Sequence, residues 1–174
     1  MSSKIGVQNI AHTNGTNAMT ISSGGVVVPR KQSHVLVIPQ ESSGYSSLAS
    51  GTFLPFNHIS ESLGTGSTDF STTTYKYTAP CKGLYFISFK TITNLPATNA
   101  YWALYINGSI FNQTFHSDDS RTGGGSLTKI LQSGDVLGIS PTGNNSSEYF
   151  HHQSSLPSST NYTYATFTLL QEIV

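Results

Sequence analysis

The stretch Leu84–Phe89 (Leu-Tyr-Phe-Ile-Ser-Phe) constrains the fold of this chain more than any other. It sits in a strand–turn–strand pattern that runs from Tyr75 to Thr93. The first arm, Thr74 to Thr78, is rich in Thr and Tyr, which suits a pleated surface. Pro80 has no ladder donor and ends that arm, and Gly83 supplies backbone freedom for the turn. In the second arm Leu84, Phe86 and Ser88 share one face, and Tyr85, Ile87 and Phe89 share the other. A half-exposed antiparallel strand is apolar on one face only. Here both faces are greasy, so the strand needs a cover on each side. One cover is a second sheet. The other is expected to be a further copy of the same chain.

The remaining signals run as follows. Residues 1–31 read as a hairpin turning at Asn14-Gly15, a joint at Ser22–Gly25 and a short strand Val26–Val28. This arm cannot bury a core alone, so it is expected to attach the body, residues 32–174, to something else. His34–Ile38 reads as a strand, Gln40–Gly51 as a loop, and Thr52–Ile59 as a strand interrupted by Pro55. Ser60–Ser71 reads as a polar loop. Asn99–Ile106 and Ser109–Phe115 form a hairpin about Asn107-Gly108. Gly123–Gly125 reads as a flexible turn, Ser126–Leu131 as a strand, Ser133-Gly-Asp135 as a turn, and Val136–Ser140 as a strand closed by Pro141. Thr142–Thr160 reads as a long loop. The long strand Tyr162–Val174 belongs in the middle of a sheet, because at an edge its free amides would invite aggregation. Short strands with frequent turns and no helical period indicate an all-β jelly roll or related sandwich.

Composition closes off several partners. Charged residues make up 9% of the chain and the formal net charge is 0, without a basic stripe. Nucleic acid and acidic membrane surfaces are therefore not expected partners. No run reaches the length of a membrane span, so no membrane insertion is expected. The N-terminus has no signal-peptide core, which implies synthesis and folding in a cytoplasm. The one cysteine, Cys81, excludes an intrachain disulfide and reads as a small half-buried filler.

Four stretches carry a resemblance: Phe56-Asn-His-Ile59, Tyr77-Thr-Ala-Pro-Cys-Lys-Gly-Leu-Tyr85 continuing to Phe89, Gly125–Leu137 with Gly134-Asp135, and Tyr164-Ala-Thr-Phe167-Thr-Leu-Leu170. In this order, over about residues 50–172, they resemble the globular head of the complement first component and its tumour-necrosis-factor relatives. The resemblance implies a ten-stranded jelly roll and a homotrimer packed along a three-fold axis. The chain departs from the animal proteins in having no collagen repeat, signal peptide or disulfide pair. Residues 1–31 resemble instead the short Asn-Thr-Asn-Gly-Thr segments that precede such domains in structural proteins of tailed phages, especially cyanobacterial ones.

Catalysis is not expected. The sequence contains no nucleophile elbow, zinc-binding His-Glu-x-x-His or phosphate loop, and no cofactor is implied. His151-His152 alternate across a strand and read as solvated; Asp118-Asp119 supply too few oxygens for a dedicated calcium site. Whether either pair binds a metal stays open on the sequence. Leu84, Tyr85, Phe86, Phe89, Trp102, Tyr105 and Phe167 are the expected core or trimer-interface residues, with the division between the two undecided. The expected role is a virion-surface structural protein. It would be a capsid decoration (cement) trimer bound to the major capsid protein through residues 1–31, since a tail fibre is expected to need a shaft and an anchor. The alternative is a receptor-binding tip of a tail fibre or spike, contacting host glycan through loops 42–51, 116–125 and 142–160.

Overall fold

The structure, a computed structural model, describes residues 9–11, 17–21, 27–29, 31–40, 44–49, 51–92, 101–115, 122–142, 148–152 and 163–173. The chain divides into two compact units, Met1–Gln32 and Ser33–Val174. In the first, β1 (Asn9–Ala11), β2 (Asn17–Ile21) and β3 (Val27–Pro29) form an antiparallel three-stranded sheet in that order. The short third strand therefore joins the expected hairpin. Asn14-Gly15 and Ser22–Gly25 lie outside the described residues.

The second unit holds β4 (Ser33–Ile38), β5 (Gly44–Leu48), β6 (His58–Gly64), the single turn α1 (Gly66–Asp69), β7 (Phe70–Ser71), β8 (Lys76–Thr78), β9 (Gly83–Ile92) and β10 (Tyr101–Ile106). It continues with β11 (Ser109–Phe115), β12 (Thr122–Leu131), β13 (Val136–Thr142), β14 (Glu148–His152) and β15 (Tyr164–Glu172). Ten of these strands form two antiparallel five-stranded sheets, ordered β12-β9-β15-β4-β6 and β11-β10-β13-β8-β7. They pack face to face as a jelly-roll β-sandwich around Val35, Val37, Leu54, Phe56, Ile87, Leu104 and Ile139. The long last strand lies at the centre of its sheet, between β9 and β4, as its length demands. Among the described residues no helix is long and apolar enough to cross a membrane.

Several local expectations fail, each for a visible reason. The polar stretch expected to be a loop after Ile59 contains the edge strand β6. Its residues from Glu61 to Gly64 are exposed, so it shows no buried period. A turn of helix and β7 follow before Thr72. Residues 52–57 are not a strand; this irregular segment instead lies along β13, with Gly51 N–H donating to Pro141 O (3.1 Å) and Leu54 N–H to Ile139 O (2.7 Å). β13 does not stop before Pro141. The proline carbonyl points to Gly51, away from β10, so its missing N–H costs no ladder bond. The first arm begins at Lys76, because Tyr75 turns left-handed with φ 60°. Segments 40–51 and 142–160 are not simply loops, for β5 and β14 pair as an antiparallel ribbon. The last strand spans Tyr164–Glu172 rather than 162–174.

Two glycine assignments also change. Gly83 is needed for close approach: a Cβ there would lie 2.5 Å from Leu169 Cδ1 and 2.7 Å from Gln171 O. Gly123–Gly125 is no flexible turn but the start of β12, paired with Phe89–Thr91. A Cβ on Gly123 would stand 2.8 Å from Trp102 Cδ1, and one on Gly124 would stand 2.4 Å from Phe89 O.

Candidate interaction face

The inner face of the β9 sheet is fixed by aromatic packing. Tyr85, Ile87 and Phe89 point into the sandwich with Phe167. The Tyr77 ring from the opposite sheet stacks on Phe167 (centroids 4.9 Å apart, 2° between planes) and meets Tyr85 edge-on at 6.2 Å. Tyr85 OH donates to Cys81 O at 2.8 Å, and Cys81 is buried rather than half-buried. Ser33 Oγ donates to Asp69 Oδ2 (2.6 Å) and also lies 2.6 Å from Tyr77 OH. A hydroxyl has one proton, so Tyr77 is the donor to Ser33. Thr65 Oγ1 donates to the same carboxylate oxygen at 2.6 Å. Burial pushes both the Tyr77 and Tyr85 phenols well above the ordinary tyrosine range. This network pins α1 and β8 to β4.

The outer face of the same sheet is different. Register places Leu63, His34, Thr168, Phe86 and Thr128 in one row across β6, β4, β15, β9 and β12. The adjacent row reads Glu61, Leu36, Thr166, Ser88 and Ser126. Leu84 sits opposite Ile130, and Tyr164 and Gly124 flank Lys90. The face is apolar groups set among hydroxyls, with His34 Nδ1 2.8 Å from Thr168 Oγ1. Phe86, Leu84 and Leu36 are half-buried, while Leu63 (57%), Leu170 (54%) and Ile130 (51%) are largely exposed. At the corner by β12 lies a shallow hollow of about 360 Å³, lined by Ser88, Lys90, Gly124, Ser126 and Tyr164 among others.

The neighbouring edge carries a second apolar group. Ile110 and Phe111 on β11 are exposed, and the ammonium of Lys129 on β12 lies 4.4 Å above the Phe111 ring. Part of the outer face of the other sheet is covered from within the chain, by Phe53. Phe53 lies over Gly138, meets Tyr105 edge-on at 5.7 Å, and has Lys76 Nζ 4.4 Å above its ring.

The residues singled out by sequence thus divide. Tyr85, Phe89, Trp102 and Phe167 are in the core. Leu84 and Phe86 lie on the uncovered outer face, and Tyr105 lies half-buried under Phe53 on the other sheet. Leu36, Leu63, Ile130 and Leu170 belong to the uncovered face and were missed; only the alternation of buried and half-buried positions along Ser33–Val37 could have flagged Leu36. Asp118-Asp119 lie outside the described residues. His151-His152 lie on β14, opposite Tyr45 and Gly44. Among the described residues no three His, Cys, Asp or Glu are grouped to hold a metal ion.

No protein-family model and no curated protein matches the sequence. Solved structures do match the fold. The Eiger tumour necrosis factor of S. frugiperda is similar with a TM-score of 0.62 at 10% identity, over 83% of this chain and 96% of that one. The globular domain of zebrafish complement 1qA gives 0.57 at 18% identity, over 81% and 99%. Murine APRIL gives 0.57 at 12% identity, over 80% and 100%. At these identities the likeness establishes a tumour-necrosis-factor-like and complement-like jelly roll.

Proposed function

We propose that this chain is a self-assembling trimer whose job is mechanical, a decoration protein on the surface of a phage head. The observation that carries the trimer is the uncovered face around Phe86, Leu84, Leu36 and Leu63, on a sheet whose other side already closes the core. Water on that face is unfavourable at about 25 cal/mol per Å² of apolar surface. The family resemblance of the sequence implies the same three-fold arrangement. Contact around a three-fold axis is heterologous and needs two different patches on each copy. This chain has two, the β9-sheet face and the edge bearing Ile110 and Phe111. The mechanism is burial of surface, not chemistry.

The placement on a phage head rests on the first thirty-one residues and their resemblance to phage segments. That small sheet attaches the trimer to the capsid lattice, and many weak copies act together. The second reading, a receptor-binding tip, draws support from the β5–β14 ribbon, in which two of the segments assigned to recognition converge. One experiment separates the readings. Deleting residues 1–31 is expected to leave a folded trimer that no longer binds empty heads. Undiminished head binding by the shortened protein rejects the attachment role, and binding of the intact protein to host cells instead of heads favours the tip.

A further inference from the structure

We infer that the hollow beside Lys90 is filled by Glu61 of a second copy of this chain, so that one ion pair per contact sets the register of the assembly. The inference rests on the trimer reading and adds the partner group that completes the site. Among the described residues, Lys90 and Glu61 are the lysine and carboxylate that register places on the uncovered face, and neither is in an ion pair there. They cannot meet within one chain. Glu61 is on β6 and Lys90 on β9, three strand steps apart in the order β9-β15-β4-β6. At about 4.8 Å per step that is about 14 Å across the sheet.

Along the strands they are two residues apart in height. Glu61 lines up through Leu36 and Thr166 with Ser88, two residues from Lys90. That offset is about 6.6 Å, within the span of a lysine stem and a glutamate side chain together. Rotation about an axis along the strands keeps every copy at one height. Opposite charges on opposite flanks of the face, with an offset that their side chains span, are therefore brought together by a rotation and by nothing within the chain. The hollow suits a carboxylate: Lys90 supplies the cation, and Ser88, Ser126 and Tyr164 supply hydroxyls.

The test is a charge exchange on the full chain, read by sedimentation velocity over a dilution series. Glu61→Lys and Lys90→Glu are each expected to weaken trimer association by about tenfold or more, and the double variant to restore it. Both positions are at the surface or half-exposed, so the single subunits stay folded, which circular dichroism checks. Single variants that associate like the parent overturn the pairing while leaving the trimer intact. A double variant no better than either single variant overturns it too. A parent protein that is itself monomeric removes the trimer reading, and the pairing with it.

Discussion

Phe86→Ala separates assembly from folding. The Phe86 ring is half-buried on the uncovered face, opposite Thr168 and Thr128. A phenylalanine buries roughly 150–250 Å² when fully enclosed. At most about a third of that area is left exposed within the single chain, roughly 70 Å² for a neighbour to cover, or about 1.8 kcal/mol per protomer at ~25 cal/mol per Å². That corresponds to roughly 20-fold in association for each contact. The comparison is Phe167→Ala, whose ring is 1% exposed and stacks on Tyr77 at 4.9 Å. Removing that ring leaves a cavity in the sandwich and is expected to cost about 3–5 kcal/mol of subunit stability. Sedimentation velocity measures association, and urea unfolding at concentrations where subunits are separate measures folding. Phe86→Ala should shift the first and barely move the second; Phe167→Ala should lower the second. A Phe86→Ala protein that associates normally but unfolds as easily as Phe167→Ala would refute the assignment of this face to assembly.

Two further outcomes follow from packing and burial. Gly123→Ala should displace the chain's only tryptophan, because the new Cβ would lie 2.8 Å from Trp102 Cδ1; a shifted Trp102 emission maximum with reduced stability is expected, and an unchanged spectrum contradicts the packing. Stability should also fall at high pH. Burial raises the folded-state affinity of Tyr77 and Tyr85 for their protons, so their contribution is complete below about pH 10 and is lost above it as the unfolded chain ionises first. Each phenol should lower stability by about 0.7 kcal/mol per pH unit on average between pH 9 and pH 11, rising toward about 1.4 above pH 11, and Tyr77→Phe should remove its share of that slope in urea titrations over this range.

The sandwich was legible because its central strands alternate plainly. Tyr85, Ile87 and Phe89 fall on one face by counting, and the length of the strand ending at Glu172 requires two neighbours. The edges were not legible. β6 is mostly exposed and shows no buried period, and β5 with β14 draws its order from partners about a hundred residues apart. Gly123–Gly125 misled because glycine speaks first of turns, whereas Trp102 and the backbone of Phe89 forbid any side chain there. Periodicity could show that Phe86 and Tyr85 face opposite ways. It could not say which faces the second sheet, since both rings are apolar. That assignment depends on Tyr77 and Phe167, which are distant in sequence.

The choice between a ring and a pair follows from what each leaves wet. A two-fold dimer would lay one β9-sheet face on another and cover Phe86, Leu36 and Leu63. Ile110 and Phe111 on β11, an edge strand of its sheet among the described residues, would stay in water. A heterologous contact sets that edge against the next copy's face and uses both patches at once. Such a contact must close, because an unclosed one propagates into a fibre. The formal net charge of 0 gives no general repulsion to stop propagation. Closure therefore has to come from geometry at the contact itself. Under a pure rotation the Glu61–Lys90 pair has only its own offset of about 6.6 Å to span, and an axial step of a helical filament that lengthens that offset breaks it.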